Sequence, residues 1–374
     1  MTPSSRPRAF APQAPTPRAP TPPTRTGAVI GFGNVAANGH LPVWRERSDF
    51  RIIAVVDSDA ERRALAATAL PGIRTYSTPG ELLHHEKLDF VDVATPPAFH
   101  AAAIIAAAQA GVHVLCEKPV TTSVREYRAV REAVRRSGVV LHTVHNWKYS
   151  EAFRTVRQLL QAGTLGSLNS ISFNTARNGC AITTRDNWRV QAAVAGGGIL
   201  VDHGWHAFYL LLALAQERPQ RIRAALERRR YVDAEVEDTA VCGIDFPSLT
   251  GEIRLTWAAA ERRTEWRFMG DGGQLIIDED HVLMHSKSGR HSQRLATALS
   301  AGSHHPEWFA GVVDSFRQEL DDPGTRGTNQ AEAEWCLLML NRAYASGARD
   351  AQPMDIPQPP EWLEAGGREG GAVE

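Results

Sequence analysis

The stretch Ala28-Val29-Ile30-Gly31-Phe32-Gly33-Asn34-Val35-Ala36 constrains this chain more than any other. A short apolar run enters a Gly-x-Gly-x-x-Ala turn. Gly31 permits a tight turn, Gly33 lets the backbone approach a pyrophosphate, and Ala36 is small enough for a helix to pack on the strand. Phosphates bind at such a helix start, where unpaired N–H groups and the helix dipole favour an anion. Phe32, Asn34 and Val35 would line it. A second run, 51–56, ends at Asp57. That acid is placed to hold the ribose hydroxyls of an adenosine and would repel a 2′-phosphate. NAD is therefore expected ahead of NADP.

The alternation continues through strand-like runs 90–94, 112–116 and 139–144 and helix-like runs 97–110 and 124–136. Thr95 can cap the first of these helices, Pro96 fits its first turn and Gly111 closes it. Repeated strand–helix–strand units predict a doubly wound parallel sheet of the Rossmann type. After Trp147 the pattern changes. Runs 168–174, 221–227, 239–246, 252–257, 264–269, 274–278 and 281–284 follow one another, several through hairpin-like links such as Gly270-Asp271-Gly272-Gly273. The expected fold class is thus α/β: an N-terminal Rossmann sheet plus a C-terminal α+β domain with a large, mostly antiparallel sheet. Helices are expected at 306–320 and 331–345. The expected boundaries are 26–147 for the nucleotide domain and 148–350 for substrate binding and oligomerisation, with a tail at 351–374.

Residues 1–25 carry eight prolines and no acid. Such a segment has little apolar surface to bury and is expected to be disordered. It lacks the apolar core of a secretory signal. Deleting residues 1–24 is expected to leave melting temperature and turnover nearly unchanged; a large loss in a thermal melt would mean that the segment docks. The formal net charge of −1 gives no global field for nucleic acid or an anionic membrane. No apolar run reaches the length of a membrane span. The four cysteines are widely spaced, with no Cys-x-x-Cys pair, which fits a reducing cytoplasm.

Two further stretches carry chemistry. Cys116-Glu117-Lys118-Pro119 puts a lysine at the carboxyl edge of the parallel sheet, where such sheets bind ligands. Gly196-Gly197-Gly198-Ile199-Leu200-Val201-Asp202-His203-Gly204-Trp205-His206 sets an aspartate and a histidine four apart, hence on one helix face. In this order behind the Gly-rich turn, and with Asn187-Trp188-Arg189 upstream, they resemble the oxidoreductase family named for glucose-fructose oxidoreductase, inositol dehydrogenase and MocA. The resemblance covers roughly residues 26–346. It implies hydride transfer between NAD and a secondary alcohol or ketone of a sugar, cyclitol or related polyol. In that family the glutamate touches the nicotinamide ribose, the lysine reaches the substrate hydroxyl, and the peptide before the proline is often cis. Thr95-Pro96-Pro97-x-x-His100 resembles the family's loop beside the cofactor.

On this reading His206 is the general acid/base, since a histidine titrates near neutrality. Asp202 orients it, and Lys118 stabilises alkoxide charge. His145, Asn146, Lys148 and Arg189 are expected to face the substrate. Were Arg177, Arg185 and Arg189 to converge, an anionic group on the substrate would follow. His203 and His206 with His304 or His305 make a zinc site conceivable, but no distinctive metal-ligand cluster accompanies them and no metal is expected. The partners expected are a small polyol or sugar and a second copy of the chain, as a homodimer or homotetramer through the C-terminal sheet, with neither nucleic acid nor membrane. Two other activities share the fold: an NAD-dependent glycosidase and a non-catalytic dinucleotide-sensing regulator. Keeping Lys118, Asp202 and His206 together argues against the regulator.

Overall fold

The computed structural model describes residues 24–180, 187–287 and 289–357. The first sheet holds β1 (Arg25–Ile30), β2 (Phe50–Val56), β3 (Arg74–Tyr76), β4 (Phe90–Val93), β5 (His113–Cys116) and β6 (Leu141–Thr143). All its pairs are parallel, in the order β3-β2-β1-β4-β5-β6. The order reverses beside β1, so a crevice opens at the carboxyl ends of β1 and β4.

Side chains alternate along these strands. Ala28, Ile30, Ala54, Val56, Val91, Val93 and Val114 face one core, which the helices His100–Gln109 and Val124–Ser137 cover. Val29, Val55, Phe90 and Leu115 face the other. There Trp44 of the helix Leu41–Glu46 meets Phe309, Val312, Val313 and Phe316 of the helix Pro306–Asp321. A helix that the sequence places in the second domain thus covers one face of the first sheet.

The second sheet holds β7 (Leu168–Asn178), β8 (Arg221–Glu227), β9 (Thr239–Asp245), β10 (Thr250–Thr256), β11 (Ala258–Gly270), β12 (Gly273–Asp278), β13 (His281–Ser286), β14 (Gly289–Arg294) and β15 (Met354–Asp355). Their order is β14-β13-β12-β11-β7-β10-β9-β8-β15. Only β7 and β10 pair in parallel; the other pairs are antiparallel. The helices Trp205–Ala215 and Thr328–Gly347 pack on one face. The opposite face exposes Arg221, Arg223, Arg254 and Arg267, with Met269 and Leu283 among them.

Three expectations change. The tail does not all hang loose: β15 pairs with β8, and Ile356 is buried behind it. The helix expected at 97–110 opens as a 3-10 turn, Pro97–Phe99, before His100–Gln109. The stretch Ala192–Ala215 is long and apolar enough, by composition, to cross a membrane, against the expectation that no run is. It is 67% buried inside the fold, as a core helix is. The expected disorder of residues 1–25 falls almost wholly outside the described residues.

Candidate functional site

The Gly-rich turn is built as the sequence requires. Gly31 has φ +92°, and a Cβ there would stand 2.8 Å from the Thr95 backbone nitrogen. Only glycine fits both conditions. The Phe32 N–H donates to Asp57 Oδ2 at 2.8 Å and the Asp59 N–H to Asp57 Oδ1 at 2.9 Å. The acid at the end of β2 is thereby fixed at the mouth of the turn. Gly33 and Asn34 lie open beside it, Val35 leads into the π-helical turn Ala36–His40, and Thr95 Oγ1 is buried with no partner. Pro96 is half-buried next to it. A bare cradle and an orphaned hydroxyl fit a dinucleotide.

His100 does not open onto this crevice. It is fully buried, with Nδ1 2.8 Å from the Pro119 carbonyl and Nε2 2.8 Å from the Thr95 carbonyl. It packs between the two loops and donates its one N–H to one of these carbonyls, since burial lowers its pKa and disfavours the doubly protonated ring.

At the end of β5 the Lys118–Pro119 peptide is cis. Lys118 Nζ donates to the Asp202 carbonyl at 2.6 Å and to Asp202 Oδ1 at 3.3 Å. Asp202 lies in a π-helical turn, Leu200–Gly204, that runs into the helix carrying His206. The turn is anchored by Glu237, whose buried carboxylate accepts from the N–H groups of Gly198 and Leu200 and from the Tyr344 hydroxyl. A Cβ on Gly198 would stand 1.8 Å from the Glu237 carbonyl oxygen. The close approach these glycines allow is therefore to protein, whereas the sequence suggested a ligand.

The expectation that Asp202 orients His206 is corrected. Asp202 is engaged by Lys118 and lies 3.7 Å from His203 Nε2, while His206 Nδ1 is 2.7 Å from the Tyr209 hydroxyl. Tyr209 is one helical turn on, so it holds the ring from the helix's own face. Burial, with Lys118 and His203 nearby, pushes the His206 pKa well below its usual value, and the ring is neutral at pH 7. Burial works against ionised Asp202, but Lys118 and His203 outweigh it and hold the carboxyl well below the usual range.

His145 and Lys148 do not join this group. Both bind Glu332: His145 Nδ1 at 2.6 Å, Lys148 Nζ at 2.8 Å. His145 Nε2 accepts from Trp205, and His145 and Lys148 line a cavity of about 300 Å³ whose walls do not include Lys118, Asp202 or His206. The cause is Glu332, a carboxylate from the last helix that sequence reading did not consider. Asn146 Oδ1 is buried without a partner. Arg189 lies over the Trp188 ring, 4.5 Å from its centroid, and its charge reaches Asp202. Arg185 lies outside the described residues. Among those described, no group of three or more His, Cys, Asp or Glu could hold a metal; His305 stacks on Trp308 and bonds Glu307.

The sequence reading also missed a buried chain behind Glu117. His40 lies with Nδ1 3.0 Å from Asp92 Oδ2 and Nε2 3.2 Å from Glu117 Oε1. Trp44 Nε1 donates to Asp92, and the His40 ring stacks on Phe309 at 3.8 Å. Burial disfavours the charged ring, but Asp92 and Glu117 outweigh it and raise the His40 pKa to about 9. Glu117 in turn accepts from the Lys118 N–H. A signal did exist: Asp92 sits in an apolar strand, and a buried carboxylate needs a partner.

Comparison with known proteins decides the family. A model described as "Oxidoreductase family, NAD-binding Rossmann fold" matches residues 26–145, and the GFO/IDH/MocA C-terminal domain matches residues 153–276. The chain belongs to the Gfo/Idh/MocA oxidoreductase family. NAD is accordingly its cofactor. The chain is similar to D-apiose dehydrogenase of Paraburkholderia graminis, 36% identical over 40% of each chain. It is also similar to 1,5-anhydro-D-fructose reductase of Ensifer adhaerens, 28% identical over 79% of this chain and 89% of that one. Among solved structures, GenD2 from gentamicin A biosynthesis, in complex with NAD, superposes with a TM-score of 0.76 at 26% identity, covering 91% and 99%.

Asp57 makes a cofactor test within this family. NADH is expected to bind more tightly than NADPH, and Asp57→Ala to narrow the difference in a fluorescence titration. Tighter binding of NADPH by the wild type would overturn the role given to Asp57.

Proposed function

We propose that the chain is a dehydrogenase or reductase acting on a secondary alcohol or ketone of a sugar, cyclitol or related polyol. The observation that carries it is the meeting of Lys118 with Asp202, one turn before His206, at the carboxyl edge of β5. Bound NAD supplies the hydride acceptor. Lys118 Nζ spends two donors on Asp202 and keeps a third for the substrate oxygen. Asp202 keeps that ammonium in place. Neutral His206 takes the hydroxyl proton at Nε2 when Nδ1–H is donated to Tyr209, a tautomer assigned from the bonding pattern. Glu117, fixed by His40, lies beside Lys118 on the cofactor side. The sugar-type names of D-apiose dehydrogenase and 1,5-anhydro-D-fructose reductase support the substrate class.

The test is a screen of polyols, sugar acids, sugar phosphates and nucleotide sugars with NAD and NADP, followed at the NADH absorbance band. Release of an aglycone with no net NADH would replace this reading with the glycosidase. The pH profile is a second check. Because His206 titrates well below 6.5, log kcat/KM for alcohol oxidation is expected to stay flat through neutrality and to fall only on the acid side of 6.5.

A further inference from the structure

Arg177, at the end of β7, is a buried arginine that pairs with no carboxylate among the described residues. It is 5% exposed. Its Nη1 donates to the Ala176 and Arg263 carbonyls, at 2.8 and 3.3 Å, and to Thr264 Oγ1 at 3.0 Å. Among the described residues its Nε is buried with no partner, and the hydrogen bonds of its guanidinium run through Nη1. Nε and Nη2 form the guanidinium edge that takes a carboxylate or phosphate through two parallel hydrogen bonds. The side held by protein is thus the other one, and the recognition edge is left over.

The surroundings repeat the excess of positive charge. Among the described residues, Arg177, Arg189 and Arg262 have no carboxylate within 4 Å, and Asp202 is already taken by Lys118. Arg262 Nη2 donates to the Gly302 carbonyl at 2.8 Å. That loop runs on to His304, whose carbonyl oxygen would stand 3.3 Å from a Cβ on Gly39, beside the nucleotide turn. The loop therefore spans from Arg262 to Gly39 beside the nucleotide turn, and His304 Nδ1 on it is buried without a partner among the described residues. The Asp202 carboxylate favours the charged form of Arg177, so the two groups lie within electrostatic reach of each other. Among the described residues the other acid whose charge reaches Arg177 is Glu279, which accepts from the Thr264 N–H and from the N–H and hydroxyl of Ser300.

Resting on the dehydrogenase reading, we propose that the substrate carries an oxyanion, a carboxylate or a phosphate, which the Nε–Nη2 edge of Arg177 takes, with Arg262 beside it and Arg189 nearer Asp202. A buried unpaired cation is costly, and an anionic ligand relieves that cost. Burial and Arg262 pull the Arg177 pKa down to about 10, as an uncompensated cation requires.

The test uses full-length protein loaded with NADH at fixed ionic strength. It is titrated with matched sets on three rings: D-glucose, D-glucuronate and D-glucose 6-phosphate; D-galactose, D-galacturonate and D-galactose 6-phosphate; myo-inositol and its 1-phosphate. In at least one set an anion is expected to bind ten- to a hundredfold more tightly than its neutral parent. Whether carboxylate or phosphate gains more identifies the source of the oxyanion. Arg177→Gln is expected to cut that anion-to-parent ratio about tenfold or more. Should this buried variant misfold, Arg189→Gln, at a half-buried position, makes the same test with a smaller drop. Neutral parents binding as well as the anions in every set would overturn the proposal, and so would an unchanged ratio in both variants. Failure of the dehydrogenase reading looks different: anion preference present in binding, yet no substrate yielding NADH from NAD.

Discussion

His206→Ala is expected to lower kcat on the true substrate by about 10²–10⁴, the usual worth of a positioned acid/base, while NADH still binds. Lys118→Ala should do the same, because its Nζ is held by Asp202 and aimed by the strand-end loop. The double variant should cost much less than the product of the two single losses, since groups that act as a unit are not additive. Tyr209→Phe separates positioning from chemistry. It removes the hydroxyl on His206 Nδ1 while keeping the ring that stacks on His145 at 4.3 Å. Its signature is a displaced pH profile with KM little changed. The unit fails as a proton-handling site if His206→Ala keeps near wild-type kcat in a steady-state assay.

His40→Leu is the second large effect, and its readout is stability. The variant leaves Asp92, fully buried, with only Trp44, and frees Glu117 from its fixed donor. Removing one partner of a buried pair costs about 3–5 kcal/mol. Asp92→Asn in the same chain should return part of that loss, because it removes the stranded charge. Denaturant titration measures both. The wild type adds a pH test. His40 has a folded pKa near 9, above its ordinary 6.5, so the charged ring's contribution is complete below about 6.5 and is lost as pH rises through 9. Melting temperature should fall across that window in the wild type, and His40→Leu should lack the step. A wild-type melting curve flat from pH 7 to 10 would remove the buried imidazolium.

How far the sequence could be read depended on whether a feature left a local pattern. The Gly31 turn, the strand ends at Asp57 and Lys118, and the switch from helix-separated strands to hairpins all have short-range signatures, and the two sheets follow from them. β3 and β14 did not show. The first is three residues long, and the second is exposed along its whole length, so neither carries an apolar alternation. At the site, Lys118 and Asp202 were within reach because each belongs to a motif. Long-range partners were not: Glu332 captures His145 and Lys148 from 184 or more residues away. Tyr209 was legible in principle, three residues past His206 on one helix. Arg177 was legible only as one of three arginines, with Arg185 and Arg189, that could converge; its own burial left no local pattern, since an arginine at a strand end looks solvated until its packing is known.

The helix Pro306–Asp321 has a consequence for the order in which the protein is made. Phe309, Val312, Val313 and Phe316 close a core whose other half is Val29, Trp44, Phe50 and Phe90. A ribosome has released about 220 further residues after Phe90 before that half receives its cover. Until then the nascent nucleotide domain shows an aromatic sheet face to solvent or to a chaperone. A fragment ending at residue 147 would therefore lack the surface that covers its own sheet.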